Sequence, residues 1–482
     1  MISFLTALAF MTAMYFVYGK YVDKVFAPDK RRPTPAYTLA DGVDYVPMSN
    51  KRIFLIQFLN IAGLGPIFGA IMGAMYGPVV FLWIVFGTIF GGAVHDYLSG
   101  MISLRMDGKS LPEIIGSQLG WTVKQVLRAF TVLLMILVGV VFVSGPADLL
   151  TKLVNGAVDY RAWVAVIFCY YILATLFPID KIIGRIYPVF GFALLFMAVS
   201  IFVVLLFHAG NMTELTFANF GNQHPDAAKL PLFPMLFITV ACGAISGFHA
   251  TQSPLMARCL KNEADGRKVF FGAMVAEGIV ALIWAAAAMS FFNGLDGFHS
   301  FMKANNNSAA IAVDTIAHER LGVFGAALAL LGVIAAPLTS ADTAFRSARL
   351  IIADFLNFPQ KKLRSRIIVS VPLFAVCILL LLLGQESFDV IWRYFAWCNQ
   401  TLAVFTLWAI TVYLSRSKKN YWITLIPALF MTAVCTTYIL IASEGFALPP
   451  VWAYAGGGGV TLLLLACFYR GMERGTQKTL NS

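Results

Sequence analysis

Charge is what this sequence has least of. Asp, Glu, Lys and Arg make up 12% of its 482 residues, about half of the roughly 25% usual in soluble domains. A chain so poor in charge cannot cover a large soluble enzyme domain with polar surface. Paired cysteines are missing as well. Cys169, Cys242, Cys259, Cys377, Cys398, Cys435 and Cys467 stand mostly inside or at the ends of apolar runs, with no CxxC and no His at ligand spacing. That excludes a zinc ribbon or a redox pair and leaves them as small packing residues. Nucleotide motifs are incomplete: Gly108-Lys109-Ser110 resembles the end of a phosphate-binding loop, but Ser103 stands where that motif needs Gly, and Gly63-Leu64-Gly65 lacks the third Gly of a dinucleotide fingerprint. No soluble basic module exists, so the net charge of +11 predicts no nucleic-acid partner. No cofactor is expected, and with no nucleophile or metal-ligand constellation an enzyme is not expected either.

What the chain does have is apolar length. Apolar residues make up 59% of it, with 41 Phe, and about 20 helical residues cross a hydrocarbon core. Hydropathy predicts an all-α polytopic membrane protein with thirteen spans: 2–18, 53–75, 78–104, 124–144, 162–178, 186–208, 233–258, 269–292, 322–344, 367–384, 388–414, 421–443 and 450–469. The first has no basic residue before Lys20, so it reads as a span, not as a signal peptide.

The basic residues give these spans a direction. Lys20, Lys24, Lys30, Arg31, Arg32, Lys51 and Arg52 follow the first span, and Arg105, Lys109, Lys124 and Arg128 the third. Lys181 and Arg185 follow the fifth, and Arg258, Lys261, Arg267 and Lys268 the seventh. Arg346, Arg349, Lys361, Lys362, Arg364 and Arg366 follow the ninth, Arg416, Lys418 and Lys419 the eleventh, and Arg470, Arg474 and Lys478 the last. The opposite side has only Lys152, Arg161, Lys229, Lys303 and Arg320, while Arg393 lies within a span. The positive-inside rule then predicts a multi-pass protein of the cell inner (plasma) membrane, N-terminus outside and C-terminus cytoplasmic.

Two spans carry helix-breaking residues near their middles. The second has Ala62-Gly63-Leu64-Gly65-Pro66, and the seventh has glycines followed by a polar stretch and a Pro, Gly243 to Pro254. An odd offset of five spans makes the two antiparallel, as in an inverted repeat of five plus five helices with a midplane site at paired discontinuous helices. The chain divides accordingly into an extra helix and basic loop (1–52), two five-helix repeats (53–209 and 210–414) and two C-terminal helices with a short basic tail (415–482). Glycines at four-residue spacing (Gly69, Gly73, Gly77; Gly87, Gly91; Gly243, Gly247) would let helix backbones approach closely. Spans ten and twelve, rich in Leu, Ile and Val, read as lipid-facing.

Polar side chains within spans are expensive and therefore functional candidates. Gln57, Asn60, Gly63, Gly65, His249, Gln252 and Ser253 are candidate substrate contacts, with Thr251 beside them; the plainer reading is that they satisfy backbone groups freed at the breaks. Asp96, His249 and Glu277 are candidate proton carriers. His95, next to Asp96, reads more simply as a cap or a partner of cytoplasmic basic residues. Thr339 and Ser340, with carbonyls around Ala62 to Gly65, offer oxygen ligands to a sodium ion. Asp342, four residues before Arg346, has an ordinary helix ion pair as its plain reading. Arg393, Asn399 and Gln400 are candidates without a role.

Several stretches resemble the carbon starvation protein A transporters: PTPAYTLADGVDYVP (Pro33 to Pro47), AGLGPIFG (Ala62 to Gly69), GGAVHDY (Gly91 to Tyr97), CGAISGFHATQSP (Cys242 to Pro254), PLTSADTAFRSARLIIADF (Pro337 to Phe355) and Asn399-Gln400. The resemblance implies uptake of peptides or of pyruvate in a carbon-starvation response. It also implies the LeuT-like fold of the amino acid, polyamine and organocation (APC) superfamily, where a Thr-Ser pair similar to Thr339-Ser340 joins a sodium site. The reading is a symporter coupled to protons or sodium, with a small-molecule substrate and the lipid bilayer as its partners. The alternative is an ion or small-solute channel.

Overall fold

A backbone in hydrocarbon must satisfy its own N–H and C=O groups, and helices do so locally. Accordingly every regular element is helical among the described residues of the computed structural model, which are 1–154, 156–176, 183–207, 212–360, 362–383 and 388–480. Lys181 and Lys361, two of the residues used to orient the loops, lie outside them. Among the described residues ten helices are long and apolar enough to cross a membrane: Ile2–Phe26, Val80–Arg105, Trp121–Thr151, Tyr187–Phe207, Glu263–Phe291, Gly325–Leu356, Leu363–Leu381, Ile391–Arg416, Trp422–Ile441 and Pro450–Glu473. Asn50–Ile61 and Gly65–Ala74 form a further pair bent by 58°, and Tyr160–Leu176 is a shorter apolar helix. Leu232–Thr239 and Gly247–Ala257 are separated by an irregular stretch, 240–246.

Burial sorts these helices into a centre and a rim. The best-buried windows, 83% each, belong to Val80–Arg105, Glu263–Phe291 and Gly325–Leu356, which surround the two interrupted segments. Leu363–Leu381 is only 33% buried, as expected for span ten, but Trp422–Ile441 is 56% buried and the outermost helices are Ile2–Phe26 (22%) and Pro450–Glu473 (17%). The aliphatic content of span twelve therefore serves packing: Trp408 and Thr411 reach across to its Thr432 and Thr424. The cysteines are all free, five of them buried and only Cys169 and Cys467 exposed.

The interruptions differ in how they are made. In the first segment the helix ends at Ile61, Ala62 takes ψ 65°, and the chain resumes as a wide turn at Gly65–Gly69. In the second, the break falls earlier than the expected glycine-to-proline stretch. His249 to Pro254 lie in regular helix, Pro254 included, and the irregular residues are 240–246. The cause is close packing at the break itself: a Cβ on Gly65 would lie 2.2 Å from the Cys242 Cβ, one on Gly69 would lie 2.9 Å from the Thr239 carbonyl oxygen, and one on Gly247 would lie 2.4 Å from the Asn399 carbonyl oxygen. The two interrupted segments thus meet closely at Gly65 and Gly69, and Gly247 brings the second against the backbone of the helix that carries Asn399.

Gly65→Ala should lower stability by about 1–3 kcal/mol through overpacking. Gly458→Ala, where no atom lies within 4 Å of the added carbon, should not lower the thermal unfolding temperature in detergent. Equal losses in the two variants would contradict this packing account.

Candidate functional site

An interrupted helix exposes backbone groups that hydrocarbon cannot satisfy, and the neighbours of 240–246 meet them one by one. Asn399 Oδ1 accepts from the Phe248 N–H at 2.7 Å and from the Ser246 hydroxyl at 3.0 Å. The next residue, Gln400, donates from Nε2 to the Phe237 carbonyl at 2.6 Å. Trp83 Nε1 donates to the Val240 carbonyl at 2.9 Å, and the Thr88 hydroxyl donates to that of Gly243 at 3.0 Å. Asn399 and Gln400 therefore hold the two halves of the broken segment from one helix. At the first break, the carbonyl that meets Thr339 and Ser340 belongs to Leu59, one turn before the expected 62–65 stretch. Thr339 Oγ1 donates to it at 2.8 Å and Ser340 Oγ lies 3.2 Å from it, while both hydroxyls also reach the Ala336 carbonyl, at 2.8 and 3.1 Å. Ala62 and Gly63 are buried at the turn, Gly63 against the Phe142 ring.

Three helices bring the expected proton carriers together. His249 Nδ1 lies 2.9 Å from Asp96 Oδ2, and its Nε2 lies 3.4 Å from Glu277 Oε2. His95 Nδ1 lies 2.8 Å from Asp96 Oδ1, so His95 joins the cluster instead of pairing with basic residues. All four side chains are fully buried. Both Glu277 oxygens and His95 Nε2 have no hydrogen-bond partner among the described residues. A buried polar atom left so costs roughly 2–7 kcal/mol, and such a cost persists where protons or ligands visit.

Asp342 does not pair with Arg346, which turns to Asp44 Oδ1 at 3.1 Å and to the Ala174 carbonyl at 2.6 Å. Instead Asp342 lies 2.8 Å from the Tyr170 hydroxyl and 2.9 Å from that of Tyr187. Tyr187 also reaches Asn60 Oδ1 at 3.1 Å. Sequence reading missed both tyrosines, since Tyr in an apolar helix gives no signal until its hydroxyl finds a carboxylate. Of the expected substrate residues, Ser253 is satisfied by the His249 carbonyl at 3.0 Å and Gln252 Nε2 by the Thr251 hydroxyl at 2.8 Å. Gln57 has neither amide atom partnered among the described residues, and Gln252 Oε1 is also bare.

A cavity of about 510 Å³ opens on the loop face that is poor in Lys and Arg. Phe68 and Met72 of the first broken segment line it, with Ile238 and Thr239 of the second, Asp148, Tyr160, His224, Asp226, Trp392, Arg393 and Tyr438. None of the expected substrate contacts, Gln57, Asn60, Gly63, Gly65, His249, Gln252 and Ser253, is among its lining residues. Arg393 sits half-exposed in its wall, 3.0 Å from Glu444. The opposite face is the one rich in Lys and Arg. There the 39–49 loop puts Asp44 against Arg346 and, at 3.5 Å, Arg349. Burial alone would raise the Asp44 carboxyl, but Arg349, Arg346 and Arg258 outweigh it and hold the group below the usual carboxylate value.

The solved structure of MhsT in complex with L-phenylalanine aligns with a TM-score of 0.56 at 15% identity, covering 88% of this chain and 99% of that chain. A manganese transporter from Eremococcus coleocola aligns at 0.52 and 12%, covering 90% and 99%. At such identities the likeness shows the fold alone, that of the LeuT-fold transporters. An uncharacterized membrane protein of Haemophilus influenzae is 46% identical over 58% of this chain and 88% of its own length. Peptide transporter CstA of Campylobacter jejuni is 26% identical over 88% of this chain and 77% of its own. The pyruvate/proton symporter BtsT of Escherichia coli is 29% identical over 58% of this chain, which spans 48% of that protein. The family model described as carbon starvation protein CstA matches residues 1–158, 151–319 and 303–438, and the chain therefore belongs to the CstA family of membrane proteins.

Proposed function

We propose that the chain is a proton-coupled symporter for a small carboxylate such as pyruvate or for short peptides, working by alternating access around the two broken segments. What carries the reading is the His95–Asp96–His249–Glu277 cluster, because a fully buried carboxylate, imidazole and second carboxylate in sequence can hold and pass a proton. His249 lies on the second broken segment and Asp96 and Glu277 on well-buried helices, so moving that segment remakes the proton's surroundings. The names of two relatives, a peptide transporter and a pyruvate/proton symporter, support the substrate class. The cavity size fits a solute of that kind.

The topology belongs to the same proposal: thirteen crossings, two inverted repeats of five, N-terminus outside, and the cavity facing out while the Asp44 contacts close the cytoplasmic side. The alternation of basic loops supports it. In this scheme the substrate enters the cavity, the segments rearrange at Gln57, Asn60, His249 and Gln252, and Asp44 leaves its arginines to open the inner face. A second reading, sodium coupling, is favoured by Thr339, Ser340 and the Leu59 carbonyl. Those oxygens are the right chemistry for sodium, since hydroxyls that donate to carbonyls keep lone pairs for a cation, but none of them carries a charge or a proton to exchange at neutral pH.

In proteoliposomes, pyruvate or dipeptide accumulation should follow an imposed proton gradient and vanish with a protonophore, in sodium-free buffer. Asp96→Asn and Glu277→Gln should abolish accumulation while leaving solute exchange. Accumulation that needs sodium and is lost in Thr339→Ala would replace the proton reading, and flux with no accumulation would select a channel. Asp44 makes a separate prediction. A carboxyl held below its ordinary pKa favours the closed face at pH above that value and stops doing so as pH falls through its lowered one, so the contact is intact at pH 7. With the exposed Cys169 and Cys467 replaced, Asp44→Asn should speed maleimide labelling of Cys259, whose sulfur lies 3.7 Å from the Asp44 carbonyl, at least several-fold. An unchanged rate would contradict a gate there.

A further inference from the structure

The proton cluster around His249, with Asp96 and Glu277, leaves another buried carboxylate unused. We infer that Asp342 is a separate proton-binding site, and that the Tyr187 hydroxyl carries its protonation state to the first broken segment at Asn60. The inference rests on the proton-coupled reading for its purpose but on different residues for its geometry.

The argument is a count of hydrogens. A tyrosine hydroxyl has one to donate, yet Tyr187 Oη lies within reach of three acceptors: Asn60 Oδ1 at 3.1 Å, the Thr339 carbonyl at 2.9 Å and Asp342 Oδ1 at 2.9 Å. Tyr170 Oη is spoken for by Asp342 Oδ2 at 2.8 Å. When Asp342 is ionised, both hydroxyls donate to it, and Asn60 Oδ1 receives nothing from Tyr187. When a proton arrives, it forms an O–H bond on Asp342 Oδ1. That new donor points at Tyr187 Oη, and Tyr187 turns its single hydrogen toward Asn60 Oδ1 or the Thr339 carbonyl. Release of the proton to water reverses each step, so no other reactant is needed.

The receiving end lies where the chain can respond. Asn60 is next to the last residue of Asn50–Ile61, immediately before the turn at 62–64, and its Nδ2 has no partner among the described residues. Thr339, whose carbonyl is the other acceptor, also holds the Leu59 carbonyl through its hydroxyl at 2.8 Å. Either acceptor that Tyr187 can turn to is therefore tied to the last turn of Asn50–Ile61, Asn60 directly and the Thr339 carbonyl through the residue that holds Leu59. Among the described residues, the charged and titratable groups facing Asp342 are Tyr170 and Tyr171 on Tyr160–Leu176, Tyr187 on Tyr187–Phe207, and Arg346 on its own helix. Arg346 is turned toward Asp44. All of Asp342, Tyr187 and Asn60 are fully buried, so water does not compete for these bonds.

The test uses the full chain in liposomes, with pH-stepped infrared difference spectra in the absence of substrate and proton uptake per pyruvate or dipeptide in its presence. In the spectra, Asp342→Asn should remove one carboxylic-acid carbonyl band, and Tyr187→Phe should keep that band but shift its frequency and midpoint. In transport, Asp342→Asn should take up one proton fewer per substrate than the wild-type chain. Tyr187→Phe should lose the pH dependence of substrate affinity that belongs to this group while Asp342 still titrates. Spectra of Asp342→Asn and Tyr187→Phe that superimpose on wild type, with proton uptake per substrate unchanged, would overturn the site and leave proton coupling standing. The band present in a wild-type chain that moves no protons with substrate would support the site and overturn the proton-coupled reading instead.

Discussion

Everything in this molecule depends on one requirement, that backbone polar groups inside a bilayer find partners without water. Straight helices meet it by themselves. Two segments here do not, and the rest of the centre is arranged to meet it for them. Trp83 and Thr88 answer carbonyls within 240–246, Asn399 and Gln400 answer groups on the two helical halves that flank it, and Thr339 and Ser340 answer Leu59 at the first break. Glycines at Gly65, Gly69 and Gly247 bring the partners near enough.

Those same partners bring ionisable groups with them. The half-helix that starts at Gly247 carries His249 into contact with Asp96 and Glu277, and the helix that supplies Thr339 supplies Asp342 three residues later. A buried carboxylate is tolerable only when hydrogen-bonded or protonated. Each break thus has titratable groups near it, His249 with Asp96 at the second and Asp342, through Tyr187 and Asn60, at the first. That is the physical link proposed between proton binding and movement of the two segments. The cavity on one face and the arginine-held Asp44 on the other supply the asymmetry that alternating access needs.

Much of this was legible in the residues. Glycine marked both interrupted segments, because its backbone freedom is local, but Pro254 lies in regular helix and the second break falls at 240–246. Asp96, His249 and Glu277 could be singled out because charge within an apolar span is rare, and the structure brings the three together. Other features were not legible, for equally physical reasons. The exact extent of the second break depends on Asn399 and Gln400, more than 140 residues away in sequence. Tyr170 and Tyr187 stand out only once their hydroxyls are seen to meet a carboxylate more than 150 residues downstream. Asp342 read as the partner of Arg346 at helical spacing, but Arg346 finds Asp44 in a distant loop.

The central claim is that substrate and proton cross together. A pH-sensitive dye sealed inside proteoliposomes, with no gradient imposed at the start, tests it most directly. Adding pyruvate or a dipeptide outside should acidify the lumen in step with substrate entry, and His249→Gln should suppress both. Substrate entry at an undiminished rate with no acidification would contradict the account.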